Sequence, residues 1–168
     1  KIKLLDDIDK VNYSRDGDAA IDLRASGKFI INLDDIKKEI QQDSYIIKPN
    51  ERILIKTGVI VAIPKGCWGN IKSRSGHAYH NGIHVLGGVI DENYRGEIGV
   101  ILVNLSQKPF QINKNDRVAQ MIISEYKKVD VEYVNELDDT NRNLDGFGSS
   151  GNWYKPNFIF YFNNIYIS

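Results

Sequence analysis

Residues 44–69 read SYIIKPNERILIKTGVIVAIPKGCWG. Short apolar runs rich in Ile and Val alternate with turn-forming clusters, KPNE and PKG, at a spacing that suits strands joined by tight connections. The same punctuation extends outward in both directions. LRASGKFIINL (23–33) precedes it, and GVILVNLSQKPFQINKNDRVAQMIISEYKKVDVEYV (99–134) follows, with SQKP and NKND as further turns. Many short strands with regular turn signals predict an all-β domain, a barrel or a sandwich.

One segment breaks the pattern. In INLDDIKKEIQQDS (31–44), Leu33, Ile36 and Ile40 recur at helical spacing. Asn32 is placed to cap, and Asp34 and Asp35 suit the positive end of a helix. A short surface helix is therefore expected near 33–42, inserted between strands. A second segment is apolar on both alternating faces. In EIGVILVN (97–104), Ile98, Val100 and Leu102 fall on one side, Ile101 and Val103 on the other. Such a strand is expected to be covered twice, by the domain core and by another layer or subunit.

The chain has 168 residues, enough for one domain with a sizeable core, expected over residues 1–136. A formal net charge of zero argues against bulk binding to duplex nucleic acid, which calls for a basic face. A single cysteine, Cys67, excludes an internal disulfide, and no clustered zinc-ligand spacing occurs. No run approaches transmembrane length, and KIKLLDDIDK does not read as a signal peptide, so an intracellular protein, cytoplasmic or nuclear, is expected, with no membrane partner. The N-x-S triplets at Asn12 and Asn104 read as chance. From about residue 137 the composition turns polar and glycine-rich, as in a mobile arm (137–151), and an aromatic, β-prone tail of unknown role follows at 152–168.

Five segments carry chemically suggestive groups. In KSRSGHA (72–78), Arg74 supplies a planar, permanently charged donor fork, Ser75 a hydroxyl, and Gly76 room for backbone N–H groups to approach an anion. Taken alone, these residues read as a solvated turn. In DGFGSSG (145–151), Gly146, Gly148, Ser149 and Ser150 suit a phosphate chain, Phe147 offers a flat face to a base, and Arg142 lies just upstream. A flexible linker has the same composition. GGVIDENYRGEIGV (87–100) sets Asp91 and Tyr94 beside an apolar strand after two glycines, which permit a bulge or a tight hairpin, and an ion pair between Asp91 and Arg95 is the plainer alternative. AAIDLRA (19–25) places Asp22 between Ile21 and Leu23, and DRVAQMI (116–122) places Gln120 before an apolar run.

In this order the five segments resemble the motifs of the trimeric dUTPase family, over residues 15–151. The third and fifth are the most specific. The resemblance implies a jelly-roll-like β-barrel of the β-clip kind, a homotrimer with active sites between subunits, and an arm closing over a neighbour's site. It implies hydrolysis of dUTP to dUMP and pyrophosphate with Mg2+. Asp91 would activate the attacking water, and Tyr94 would pack under the deoxyribose. The backbone of 85–90, including Gly88, Val89 and Ile90, would read the uracil edge. Arg74, Ser75, Gly76 and Gln120 would bind phosphates, Phe147 would stack on uracil, and Arg142, Gly148, Ser149 and Ser150 would hold the triphosphate. Asp22 would help the metal indirectly, through water. The chain departs from the family pattern at Ala20 and Ile21, where Gly and an aromatic are usual, at Asn93 for Asp, and at Asn143–Leu144, where a Gly commonly follows the Arg. The related dCTP deaminases carry a catalytic Glu where Ile101 stands here, which argues against deamination. A non-catalytic nucleotide-binding module on the same fold is the other alternative.

Overall fold

The computed structural model describes residues 1–5, 8–33 and 36–141. In chain order its elements are β1 (Ile2–Leu4), β2 (Ile21–Arg24), β3 (Lys28–Leu33), β4 (Ile36–Gln41), β5 (Ser44–Ile47), β6 (Arg52–Lys56) and β7 (Val59–Val61). There follow β8 (Cys67–Lys72), α1 (Ser75–Asn81), β9 (Ile83–Leu86), β10 (Val89–Ile90), β11 (Gly99–Asn104), β12 (Phe110–Asn113) and β13 (Arg117–Glu125). Two larger sheets dominate, a four-stranded one in the order β10-β8-β13-β2 and a five-stranded one in the order β4-β3-β6-β11-β9. The pairs β1-β7 and β12-β5 complete the architecture. The result is the expected all-β, jelly-roll-like arrangement, built from separate packed sheets and not from one closed barrel.

One apolar cluster takes side chains from both larger sheets. Leu23, Ile71, Ala119 and Met121 come from the first, and Phe29, Ile53, Ile55, Val100 and Leu102 from the second. The period-2 alternation of each strand puts these residues on a common inward face. Thr57 and Asn104 are buried polar residues with paired side chains. Thr57 donates its hydroxyl to the carbonyl of Ile98 at 2.7 Å. Asn104 donates its amide to the carbonyls of Ile47 and Lys108 at 3.0 and 2.7 Å. With its side-chain amide buried and used in this way, Asn104 is a structural residue, in line with reading its N-x-S triplet as chance.

The helix expected near 33–42 is not formed. Residues 36–41 are β4, the edge strand of the five-stranded sheet, registered against β3 from Lys28↔Gln41 to Leu33↔Ile36. The reason lies in the spacing. A separation of four, as between Ile36 and Ile40, keeps two side chains on one face at either period, so it does not discriminate helix from strand. A lone helix of this length is marginal in water, whereas β3 offers a row of backbone partners. The charged run Lys37, Lys38 and Glu39 then covers an exposed sheet edge, where charge discourages further pairing.

In β11 the expected inner face is fully covered: Ile98, just before it, and Val100 are 0% exposed and Leu102 1%. The other face, with Ile101 and Val103, is half-exposed and continues across neighbours, Ile101 standing opposite Leu54 on β6 and Leu86 on β9.

The compact body runs from Lys1 to Lys128. In the segment that follows, Val129, Val131, Tyr133 and Leu137 are exposed. Arg142, Phe147, Gly148, Ser149, Ser150 and the 152–168 tail lie outside the described residues. Among the described residues no helix is long and apolar enough to cross a membrane.

Candidate active site

Asp22, Gln120 and Lys72 lie in one row across β2, β13 and β8, because Gln120 is registered against both of the others. Arg74 follows β8 and occupies the N-cap of α1 in an extended conformation. Its guanidinium is ion-paired to one carboxylate oxygen of Asp22. The other oxygen accepts from the Ser14 hydroxyl at 2.8 Å and from Arg117 at 3.3 Å. Two guanidinium groups thus share one carboxylate that is itself 15% exposed. The shared counter-ion fixes both forks and leaves one positive charge uncompensated, as an anion site requires.

Gln120 donates its amide to the Ser73 carbonyl at 2.9 Å. Ser75 and Gly76 are exposed at the start of α1, and nothing lies within 4 Å of where a Gly76 side chain would begin. The Gly76 backbone is therefore open to approach from that side. A cavity of about 760 Å3 is lined by Arg24, Arg74, Ser75, Gly76, His77, Arg117 and Gln120, among others. A second, of about 400 Å3, lies against the same network and is lined by Ser14, Asp22, Lys72, Arg74, Arg117 and Gln120. The four expected phosphate contacts on the body, Arg74, Ser75, Gly76 and Gln120, are therefore brought together.

Asp91 lies elsewhere, in a cleft of about 550 Å3 lined by Trp68, Val89, Asp91, Glu92, Asn93, Tyr126 and Lys128. The glycines before it do not close a two-stranded hairpin. β9 belongs to the five-stranded sheet and β10 to the four-stranded one, so Gly87–Gly88 is the crossing between sheets. Gly88 has φ +109°, its carbonyl accepts from the Ile71 N–H at 2.8 Å, and a Cβ there would stand 2.7 Å from the Ile71 carbonyl oxygen. Only glycine fits so close a backbone approach. β10 then pairs through Val89↔Asn70 and Ile90↔Gly69, with its other edge unpaired in the sheet. That edge offers backbone donors and acceptors to a ligand.

The Asp91 carboxylate is exposed and makes no hydrogen bond or ion pair with the described residues, so the alternative pairing with Arg95 does not occur. Arg95 instead donates to the carbonyls of Glu92 and Tyr94. The Tyr94 ring is 41% exposed, and its hydroxyl donates to the Glu97 carbonyl at 3.0 Å. It lies directly over Gly96, where a Cβ would overlap the ring and hydroxyl.

Several supporting residues carried no motif signal. Ser73 accepts from the Val85 N–H at 2.9 Å, joining the Arg74 region to the strand before Gly87. Glu97 accepts from Lys56 at 2.9 Å and from the Gly58 N–H at 2.7 Å. Glu92 accepts from the Gly66 N–H at 2.6 Å. That bond holds the Glu92 carboxyl below the ordinary carboxylate range, against the opposing effect of burial, and the Tyr126 hydroxyl, Lys65 and Lys128 add to it. Burial and the same carboxylate push the Tyr126 phenol up.

Among the described residues no group of three His, Cys, Asp or Glu side chains could hold a metal. Asp22 already accepts three hydrogen bonds from Arg74, Ser14 and Arg117, of about four that a carboxylate takes. It fits a contact to a hydrated ion through water, and does not fit direct ligation.

A cationic cleft and a separate cleft bearing an unpaired carboxylate, on one all-β body, suit a protein that binds and cleaves a phosphate chain. Comparison with known proteins specifies which. The dUTPase family pattern matches residues 39–151. The chain is 46% identical over 107 residues to the deoxyuridine 5'-triphosphate nucleotidohydrolase of Mus musculus, a match spanning 64% of this chain and 66% of the mouse protein, just under two thirds. It is 42% identical over 154 residues to that of Trichodesmium erythraeum, covering 90% of this chain and 97% of the other. Its fold superposes on a dUTPase of Staphylococcus bacteriophage 80alpha solved with dUpNHpp, at a TM-score of 0.73 and 23% identity, covering 90% and 97% of the two chains. The protein belongs to the dUTPase family.

Proposed function

We propose that this protein is a dUTP diphosphatase, hydrolysing dUTP to dUMP and pyrophosphate and so limiting uracil in DNA while supplying dUMP for thymidylate synthesis. The observation that carries this reading is the exposed Asp91 carboxylate, unpaired among the described residues, at the end of a paired edge strand and within the family's matched region. Asp91 takes the proton from a water that attacks the α-phosphorus, and pyrophosphate departs as the bond to it breaks. Tyr94, seated on Gly96, packs under the deoxyribose and leaves no room for a 2′-hydroxyl. The open edge of β10 reads the uracil. Arg74, Ser75, Gly76 and Gln120 hold phosphates.

Arg142, Phe147, Gly148, Ser149 and Ser150 would complete the site from the 137–151 arm, with Phe147 stacked on the base. Because the Asp91 and Arg74 clefts are distinct on one chain, a homotrimer that juxtaposes clefts of different subunits is part of the proposal, with the half-exposed Ile101 face as one surface to be covered. Mg2+ bound to the triphosphate would neutralise phosphate charge, with Asp22 touching its hydration water.

Pyrophosphate release measured with dUTP, dTTP, dCTP and UTP in the presence of Mg2+ tests the reading. Strong preference for dUTP is expected. Equal rates on all four would defeat it, and ammonia from dCTP would favour deamination.

A further inference from the structure

Asp91 is fixed on its N-terminal side by the β10-β8 pairing. What holds it on the other side is Glu92. The Glu92 carboxylate accepts the Gly66 N–H at 2.6 Å, in the turn that leads into β8. The Tyr126 hydroxyl faces the same carboxylate, and the Tyr126 N–H donates to the Gly66 carbonyl at 3.0 Å. Glu92, Gly66 and Tyr126 thus close a small ring at the mouth of the cleft that also contains Asp91 and Trp68. Both groups of Gly66 are used in it, one by each partner. The main chain is pinned directly before Asp91, at Ile90↔Gly69, and directly after it, at Glu92.

We propose that Glu92, braced by Tyr126, is the positioning residue that sets the direction of the Asp91 carboxylate. The inference rests on the assignment of Asp91 as the base. Among the described residues the Asp91 carboxylate has no partner to hold it, so where it is presented depends on how rigidly its backbone is held at both ends. Glu92 is not itself the base. Its oxygen is engaged by a backbone N–H, and removing its charge while keeping that acceptor leaves the ring closed.

The test measures steady-state dUTP hydrolysis for the full chain carrying Glu92→Ala, Glu92→Gln, Tyr126→Phe or Asp91→Asn, with circular dichroism melts in parallel. For Glu92→Ala, kcat is expected to fall about tenfold or more, with KM changed less than about twofold, since a small misplacement of a base costs that much. Glu92→Gln keeps an oxygen for the Gly66 N–H and should stay within about threefold of the parent. Tyr126→Phe should fall between them. A wild-type kcat for Glu92→Ala, with Asp91→Asn inactive, overturns the positioning role and leaves the base assignment standing. Glu92→Gln as damaged as Glu92→Ala would also overturn it, pointing to a need for the charge. A kcat loss that tracks a loss of folded protein in the melts would reduce Glu92 to a stability role. Near-normal activity in Asp91→Asn would instead defeat the base assignment on which the inference stands.

Discussion

The two clefts solve opposite electrostatic problems. Around Arg74 the side chains are held within the chain, with one positive charge left over: Asp22 pairs with both Arg74 and Arg117, and Gln120 is held by Ser73. Around Asp91 the backbone is held and the carboxylate is left open, with Val89 67% exposed and Asp91 without a side-chain partner among the described residues. The difference suits the chemistry proposed for each. A guanidinium stays charged at any working pH, so a counter-ion can orient it without disabling it. A general base must take a proton from water, and an ion pair would weaken it for that task. A salt bridge is thus compatible with one site and would spoil the other.

The comparison breaks most sharply at Asp91. Asp91→Asn should lower kcat by about 10²–10⁴-fold, the usual worth of a positioned base, while dUTP binding followed by titration calorimetry persists. Arg74→Ala should act on the other parameter. Losing a charge-assisted contact, worth about 1.5–3 kcal/mol, should raise KM by about 10–100-fold with a smaller change in kcat. If both variants moved the same parameter alike, the division into a holding cleft and a reacting cleft would fail.

Much of this was legible from residue types and order. Arg74, Gln120 and Asp22 belong to separate stretches, yet the register of β13 against β2 and β8 sets Asp22 and Gln120 in one row with Lys72, two residues before Arg74. The all-β architecture followed from Ile- and Val-rich runs between turn clusters. The segment 36–41 reads as helix from its sequence and forms a strand because a four-residue repeat is shared by both, and only the neighbouring β3 decides between them. The Gly87–Gly88 crossing looked like a hairpin because which sheet each flanking strand joins is a long-range property. Glu92 and Ser73 carried no local signal for the same reason: their partners Gly66 and Val85 lie 26 and 12 residues away. Arg117 could have been found, since a second arginine sits inside the DRVAQMI segment beside Gln120.

A smaller effect would sharpen the comparison from within the Asp91 region. Gly96 is not in the left-handed region, so alanine there meets no backbone strain, unlike at Gly88 with φ +109°. Its added methyl would overlap Tyr94, whose ring and hydroxyl occupy that space. The ring must tilt away and give up its bond to the Glu97 carbonyl, while Glu97 keeps Lys56 and the Gly58 N–H. If Tyr94 excludes a 2′-hydroxyl by position, Gly96→Ala should reduce the kcat/KM preference for dUTP over UTP about tenfold, the scale of a single misfitted group in a pocket. Melting temperature should change little, because a half-exposed tyrosine contributes modestly to the core. An unchanged dUTP-to-UTP ratio in that variant would mean that sugar selection does not depend on where Gly96 seats the ring.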